Sequence, residues 1–195
     1  MRALADLIDR TNRSVGRTVT WFALFIVLIQ FVVVVMRYVF GIGSIFAQES
    51  ITYLHGFLFM LAAAYTLLVD GHVRVDIFYR DAHPRKKAII NLFGAFVLLI
   101  PVCILIFWTS FPYVAASWAA LEGSPETSGI QARYIQKTAI LVFAVMMALQ
   151  GVSMAIRSFL ALGGDELEID KLRMSAELPE LREQRHEDLR LGEQK

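Results

Sequence analysis

Cysteine is almost missing from this chain: Cys103 is the only one among 195 residues, and it lies inside an apolar run. An intrachain disulfide is excluded, and so is a metal site built on cysteines, which leaves Cys103 as a small core side chain. Charge is scarce too. Asp, Glu, Lys and Arg make up 19% of the chain, against about 25% in an ordinary soluble domain. Of four histidines only His55 falls within an apolar run. A haem would want a second axial ligand on a facing helix, whereas His72 and His83 fall in a polar loop. There is no phosphate-binding loop, nucleophile elbow or zinc-ligand pair. The chain is expected not to be an enzyme, to need no cofactor or metal, and to bind no nucleic acid.

What the chain has in excess is apolar surface, with 56% hydrophobic residues and a mean hydropathy of +0.54. Charge is distributed unevenly. From Asp165 onward there are 10 acidic and 6 basic residues, so the tail is acidic and the body mildly basic. That split suggests a membrane body with a solvated appendage. A span needs about 20 mostly apolar residues to cross about 30 Å of hydrocarbon. Residues 18–38, 50–69, 88–111 (extendable to 120) and 137–156 qualify. They are too long and too uniformly apolar for barrel strands, and lipid leaves helix as the only other way to satisfy the backbone. The expected fold is an all-α polytopic membrane protein with four transmembrane helices. Its parts are an amphipathic N-terminal segment (1–17), a four-helix membrane domain (18–160) and a polar acidic tail (161–195). The charged N-terminus, with no small-residue cleavage site after the first apolar run, does not read as a cleavable signal.

Lys and Arg set the orientation. Arg2, Arg10, Arg13 and Arg17 precede the first span, and Arg74, Arg80, Arg85, Lys86 and Lys87 fill the second loop. Only Arg37, Arg133 and Lys137 flank the other face. Both termini are therefore expected on the cytoplasmic side, with Tyr38, Trp108, Tyr113 and Trp118 in the outer aromatic belt. Met1, Leu4, Leu7, Ile8 and Val15 fall near helical spacing among charges. This segment reads equally as a helix lying flat on the membrane and as an extension of the first span.

Charges within or beside a span are costly and repay attention. Arg37 ends the first span and Glu49 opens the second, so the two are expected to share a depth and pair. His55 reads first as a polar residue hydrogen-bonded between helices, with a relay or ligand role as the sharper alternative. Thr52, Gly56 and Ala63 form a small-residue stripe suited to close helix contact, within this chain or with another. Pro101 and Pro112 should kink or tilt the third span. A self-sufficient four-span homodimeric transporter would need a carboxylate deep in a span, and Glu49 sits at an end.

Arg37-Tyr38-Val39-Phe40, then Gln48-Glu49-Ser50, then Gly71-His72-Val73-Arg74-Val75-Asp76 resemble, in order and placement, the small membrane subunit of TRAP (tripartite ATP-independent periplasmic) transporters, the DctQ-type Q subunit. The likeness spans about residues 15 to 160, and Asp70 departs from the pattern. It implies a bacterial inner-membrane subunit of a sodium-driven transporter for a small organic solute, commonly a carboxylate. It also implies two partners. One is a large membrane subunit, which binds substrate and sodium and is braced by this chain. The other is a periplasmic solute-binding protein. Arg37, Glu49, Gly71, His72, Arg74 and Asp76 would then serve structure or partner contact.

Overall fold

In the computed structural model, residues 1–72, 79 and 82–174 are described. Those residues form helices and connections with no strand, and four helices are long and apolar enough to cross a membrane. Helix α1 runs from Arg2 to Val39 and α2 from Ile45 to Leu68. A third span is assembled from α3 (Pro84–Phe93), a π-helical turn (Gly94–Leu99) and α4 (Ile100–Ala119). Helix α5 covers Arg133–Leu162, and a short α6 covers Glu166–Met174.

Helix α1 settles the two readings of the N-terminus. Its 38 residues form one continuous helix, about 57 Å long at 1.5 Å per residue. That is well beyond the hydrocarbon thickness. The amphipathic segment is an extension of the first span, and it buries Ala5, Ile8, Asp9, Asn12, Gly16 and Val19 along one stripe.

Helix α5 is the hub, packing against α1, α2, α3 and α4. Most of its buried positions are small, namely Ala139, Ala144, Gly151, Ser153, Ala155, Ser158 and Ala161, with Met146, Met147 and Gln150 as the larger exceptions. Lipid tails are as apolar as Leu, so helices associate in a membrane through close packing, and small residues permit it. Between the helices, Ala64, Cys103, Met146 and Met147 form a buried cluster with Leu61, Ala63, Leu99 and Phe143 around it. Large apolar side chains outside the core, among them Trp21 and Phe31 on α1 and Ile104 and Trp108 on α4, are exposed and suit contact with lipid.

The third span starts earlier than apolarity alone suggests. Pro84 occupies its first turn, where a missing N–H costs nothing, and His83 Nδ1 accepts from the Arg85 N–H at 3.4 Å. Within the span the ladder widens to a π turn just before Pro101, and the Ile100 N–H reaches the Ala95 carbonyl. Pro101 has no N–H to continue an α ladder, so the disruption expected there takes the form of a wide turn. Pro112 lies inside the continuous helix α4.

Three helices end in the same way. At the ends of α2, α4 and α5, the Gly71, Glu122 and Asp165 N–H groups bond to the carbonyls of Thr66, Ser117 and Leu160. The residue before each donor is left-handed: Asp70 at φ 58°, Leu121 at φ 44° and Gly164 at φ 90°. These are Schellman closures, which satisfy carbonyls that a helix end would otherwise leave bare.

Candidate functional site

The polar side chains gather at the two ends of the bundle, with the apolar cluster between them. At the end formed by the 120–132 loop, Glu49 is the tie point. Ser44 caps α2 by accepting from the Ala47 N–H, which places Glu49 in the second turn of the helix. Its carboxylate accepts the Ser124 hydroxyl, the Ile130 N–H at 2.6 Å and the Arg133 guanidinium at 3.5 Å. Tyr53, one turn deeper, donates to the Ile130 carbonyl at 3.3 Å. Gly129 is required here, since an added Cβ would fall on Ser124 and Glu49. Beside it, Glu122 accepts from Lys137 and from Ser117 at 2.8 Å. These donors, Lys137 first, hold the Glu122 carboxyl below the usual carboxylate range. Lys137 also stands over the Tyr113 ring, 4.0 Å from its centroid. The Trp118 indole N–H donates to Thr138 at 2.8 Å.

This corrects the expected Arg37–Glu49 pair. Arg37 is exposed and makes no ion pair among the described residues. Arg133 stands by Glu49 instead. The carboxylate finds a hydroxyl, a backbone N–H and a guanidinium converging in the opposite loop, a better set of donors than one arginine at a helix end.

The other end holds the cluster that sequence reasoning missed. Helix α1 contributes Asp6, Asp9 and Asn12, α5 contributes Gln150, Ser153 and Arg157, and α6 contributes Glu168. Asn12 donates to Gln150 at 2.7 Å, and Gln150 and Ser153 donate to Asp9 at 3.1 and 2.6 Å. Arg157 grips Asp9 through Nε at 2.9 Å and Nη2 at 2.5 Å, and reaches Glu168 and Asp6 at 2.8 Å each. Arg2 also pairs with Asp165. A cavity of about 310 Å³ opens beside this cluster, lined by Asp9, Arg13, Leu67, Gln150, Arg157 and Glu168 among others. Lys87 is only 2% exposed, and its ammonium bonds to the Leu172 carbonyl at 3.3 Å. The available signal was Gln150 and Ser153 near the end of the last apolar run and Arg157 just past it, at helical spacing, matched by Asp9 and Asn12 on α1.

The remaining candidates separate. Gly56 faces this chain's own α5, where an added Cβ would stand 3.2 Å from Gln136 Nε2. Ala63 packs on the buried cluster. Thr52 is exposed, and its carbonyl accepts from Gln136 at 3.3 Å. His55 is exposed with its ring tilted against Phe59, centroids 4.8 Å apart. Gly71 makes the closing bond of α2, and His72 is exposed. Arg74 and Asp76 lie outside the described residues. Among the described residues, no group of three His, Cys, Asp or Glu is placed to hold a metal.

The family model for the DctQ component of tripartite ATP-independent periplasmic transporters matches residues 26–161. No curated protein and no solved structure matches the chain. The matched stretch takes in the end of α1, the Glu49 tie, the π turn and nearly all of α5, while the first half of α1, with Asp9, Asn12 and Gly16, and helix α6 lie outside it. This chain belongs to the DctQ family, the small membrane subunits of TRAP transporters.

Proposed function

We propose that this chain is the scaffold of a sodium-driven TRAP transporter for a small organic solute, typically a carboxylate. In this reading it braces the static part of a large membrane subunit in the bacterial inner membrane, with both termini cytoplasmic. A periplasmic solute-binding protein delivers substrate at the face bearing the 120–132 loop. The observation that carries the scaffold role is the layout of the interior. Charged and polar groups at each end are engaged in fastening helix to helix, and the layer between them is the apolar cluster of Ala64, Cys103, Met146 and Met147. An anionic solute or a sodium ion crossing that layer would have to shed its hydration for thioether and methyl groups, which is prohibitive. The chain therefore supports a path that runs elsewhere.

The test is transport in proteoliposomes. The complete three-component system should take up its solute under an imposed sodium gradient. Lowering the amount of this chain should lower the maximal rate while leaving the half-saturating substrate concentration unchanged. The purified chain alone should carry nothing. Uptake by the chain alone, or a substrate affinity that changes with variants of its interior, overturns the proposal.

A further inference from the structure

Helix α2 carries an anomaly that its own bundle does not resolve. His55 is a polar, ionisable side chain in the body of a membrane span, and it is exposed. It sits six residues beyond Glu49, about 9 Å deeper, and thirteen before the last residue of the helix, about 20 Å from that end. Its one described contact is the tilted Phe59 ring, and among the described residues nothing hydrogen-bonds the imidazole. In either protonation state the ring keeps at least one N–H that wants an acceptor. Hydrocarbon supplies none, and at this depth the side chain is too short to reach the headgroups. A ring nitrogen left bare in lipid is the arrangement that membrane helices avoid.

The residues beside it define an edge. Gln48, Thr52, His55 and Phe59 are all exposed and fall at intervals of four, three and four, so they share one side of the helix. Phe59 is 68% exposed. Thr52 borders the Gly56 and Ala63 side, which α5 occupies, its carbonyl accepting from Gln136, while His55 and Phe59 turn away from that side and from the Tyr65 side, where α1 passes at Gly16. Thr52 needs no outside partner, since its hydroxyl bonds to the Gln48 carbonyl in its own helix. His55 is the member that demands one.

We propose that the α2 edge of Thr52, His55 and Phe59 seats a membrane helix of the large subunit, and that a side chain of that helix hydrogen-bonds the His55 imidazole. The occupant must be a helix, because only a segment with its backbone bonds closed internally can lie at that depth. It is assigned to the larger membrane component because the family is tripartite and because the reading above makes this chain the scaffold of that component. The inference rests on the scaffold reading above and assigns it a face.

The test uses the complete complex in its native membrane, with a photoreactive benzophenone side chain placed at Phe59 and, for comparison, at Phe31 on α1 and Trp108 on α4. Illumination should join the Phe59 position to the large subunit. In parallel, His55→Leu should lower the large subunit recovered with the tagged chain by about three- to tenfold, the range of an interhelical hydrogen bond. His55→Gln, which can still donate and accept, should retain most of it. An edge facing lipid predicts the opposite, since Leu would suit lipid better than His. The proposal is overturned if the Phe59 position joins only lipid or a second copy of this chain, or if His55→Leu recovers the partner in full. Should the His55→Leu chain vanish from the membrane, the Phe59 cross-link alone decides. The two readings fail separately. If the large subunit is never recovered with the wild-type chain, the subunit role fails. If it is recovered but joins only at Phe31 or Trp108, this edge alone is wrong.

Discussion

At Gly16 an added methyl would overlap the β-carbon and ring of Tyr65, two rigid neighbours. At Gly56 the same methyl meets only the mobile end of Gln136. Side-chain ends move cheaply and ring roots do not, so the two glycines should respond differently. Gly16→Ala should destabilise the detergent-solubilised protein by about 1–3 kcal/mol, the cost of overpacking, and Gly56→Ala by less than about 1 kcal/mol. Adding Tyr65→Ala to Gly16→Ala should recover part of the loss. Thermal unfolding of the set checks this, and equal effects at the two glycines would mean that the α1–α2 crossing is not the tight one. Arg157 invites a second test on this scale. It faces Asp9, which is 8% exposed, and Glu168, which is 5% exposed. Removing one member of a buried ion pair leaves a charge uncompensated, at about 3–5 kcal/mol. Arg157→Met should cost that much, and Asp9→Asn on top of it should cost less than it does alone. Additive losses would show that the two groups are not coupled.

At the scale of the element, the helix ends are where local conformation and sequence disagree. The left-handed position closing α5 is Gly164, but the one closing α4 is Leu121, at φ 44° and 65% exposed. A side chain pays about 1–2 kcal/mol for that conformation. Leu121→Gly removes the strain and little packing, so it should raise stability by about 1 kcal/mol. A loss of similar size in unfolding experiments would refute the strain. Just beyond, Glu122 fastens the loop to Lys137 of α5. Its carboxyl is held below the ordinary range of a glutamate in the fold, chiefly by the Lys137 ammonium. A carboxyl with a lowered folded pKa stabilises above its unfolded value, and that contribution disappears as pH falls through the folded one. Wild type should therefore exceed Glu122→Gln in stability near neutrality, and the gap should close as the pH falls through and below the ordinary carboxylate range. A gap that persists in acid would assign the effect to shape and not to charge.

For the whole molecule, α1 and α6 meet at one end through Arg157, Glu168, Asp6 and the Arg2–Asp165 pair. The 120–132 loop lies at the other. The N-terminal segment and the second loop carry nine Lys and Arg against three flanking the other face, and on that bias the terminal end is expected to face the cytoplasm. In a Cys103→Ala background, a cysteine at exposed Ser128 should react with an impermeant thiol reagent added outside intact cells. One at exposed Thr11 should react only after permeabilisation. The reverse pattern would invert the molecule.

The sequence by itself determined the number, order and helical nature of the spans, because hydrocarbon thickness and the cost of a bare backbone admit few other solutions for such long apolar runs. It also marked Glu49 as a residue held at a span end, and the family through three short motifs in order. Tertiary structure decided the pairings. Glu49 met Arg133 and the far loop and not Arg37, because an ion pair depends on where two helices lie around a shared axis, and hydropathy carries no information about rotation. For the same reason Gly16, unmarked by any stripe, became the close crossing, while Gly56 turned toward Gln136. Asp9 and Arg157, 148 residues apart, are brought together beyond the apolar layer only by the packing of α1 on α5. Charges just past a span end have both water and protein within reach. Which they take is settled by the neighbouring helix, and its position is a property of the packed bundle.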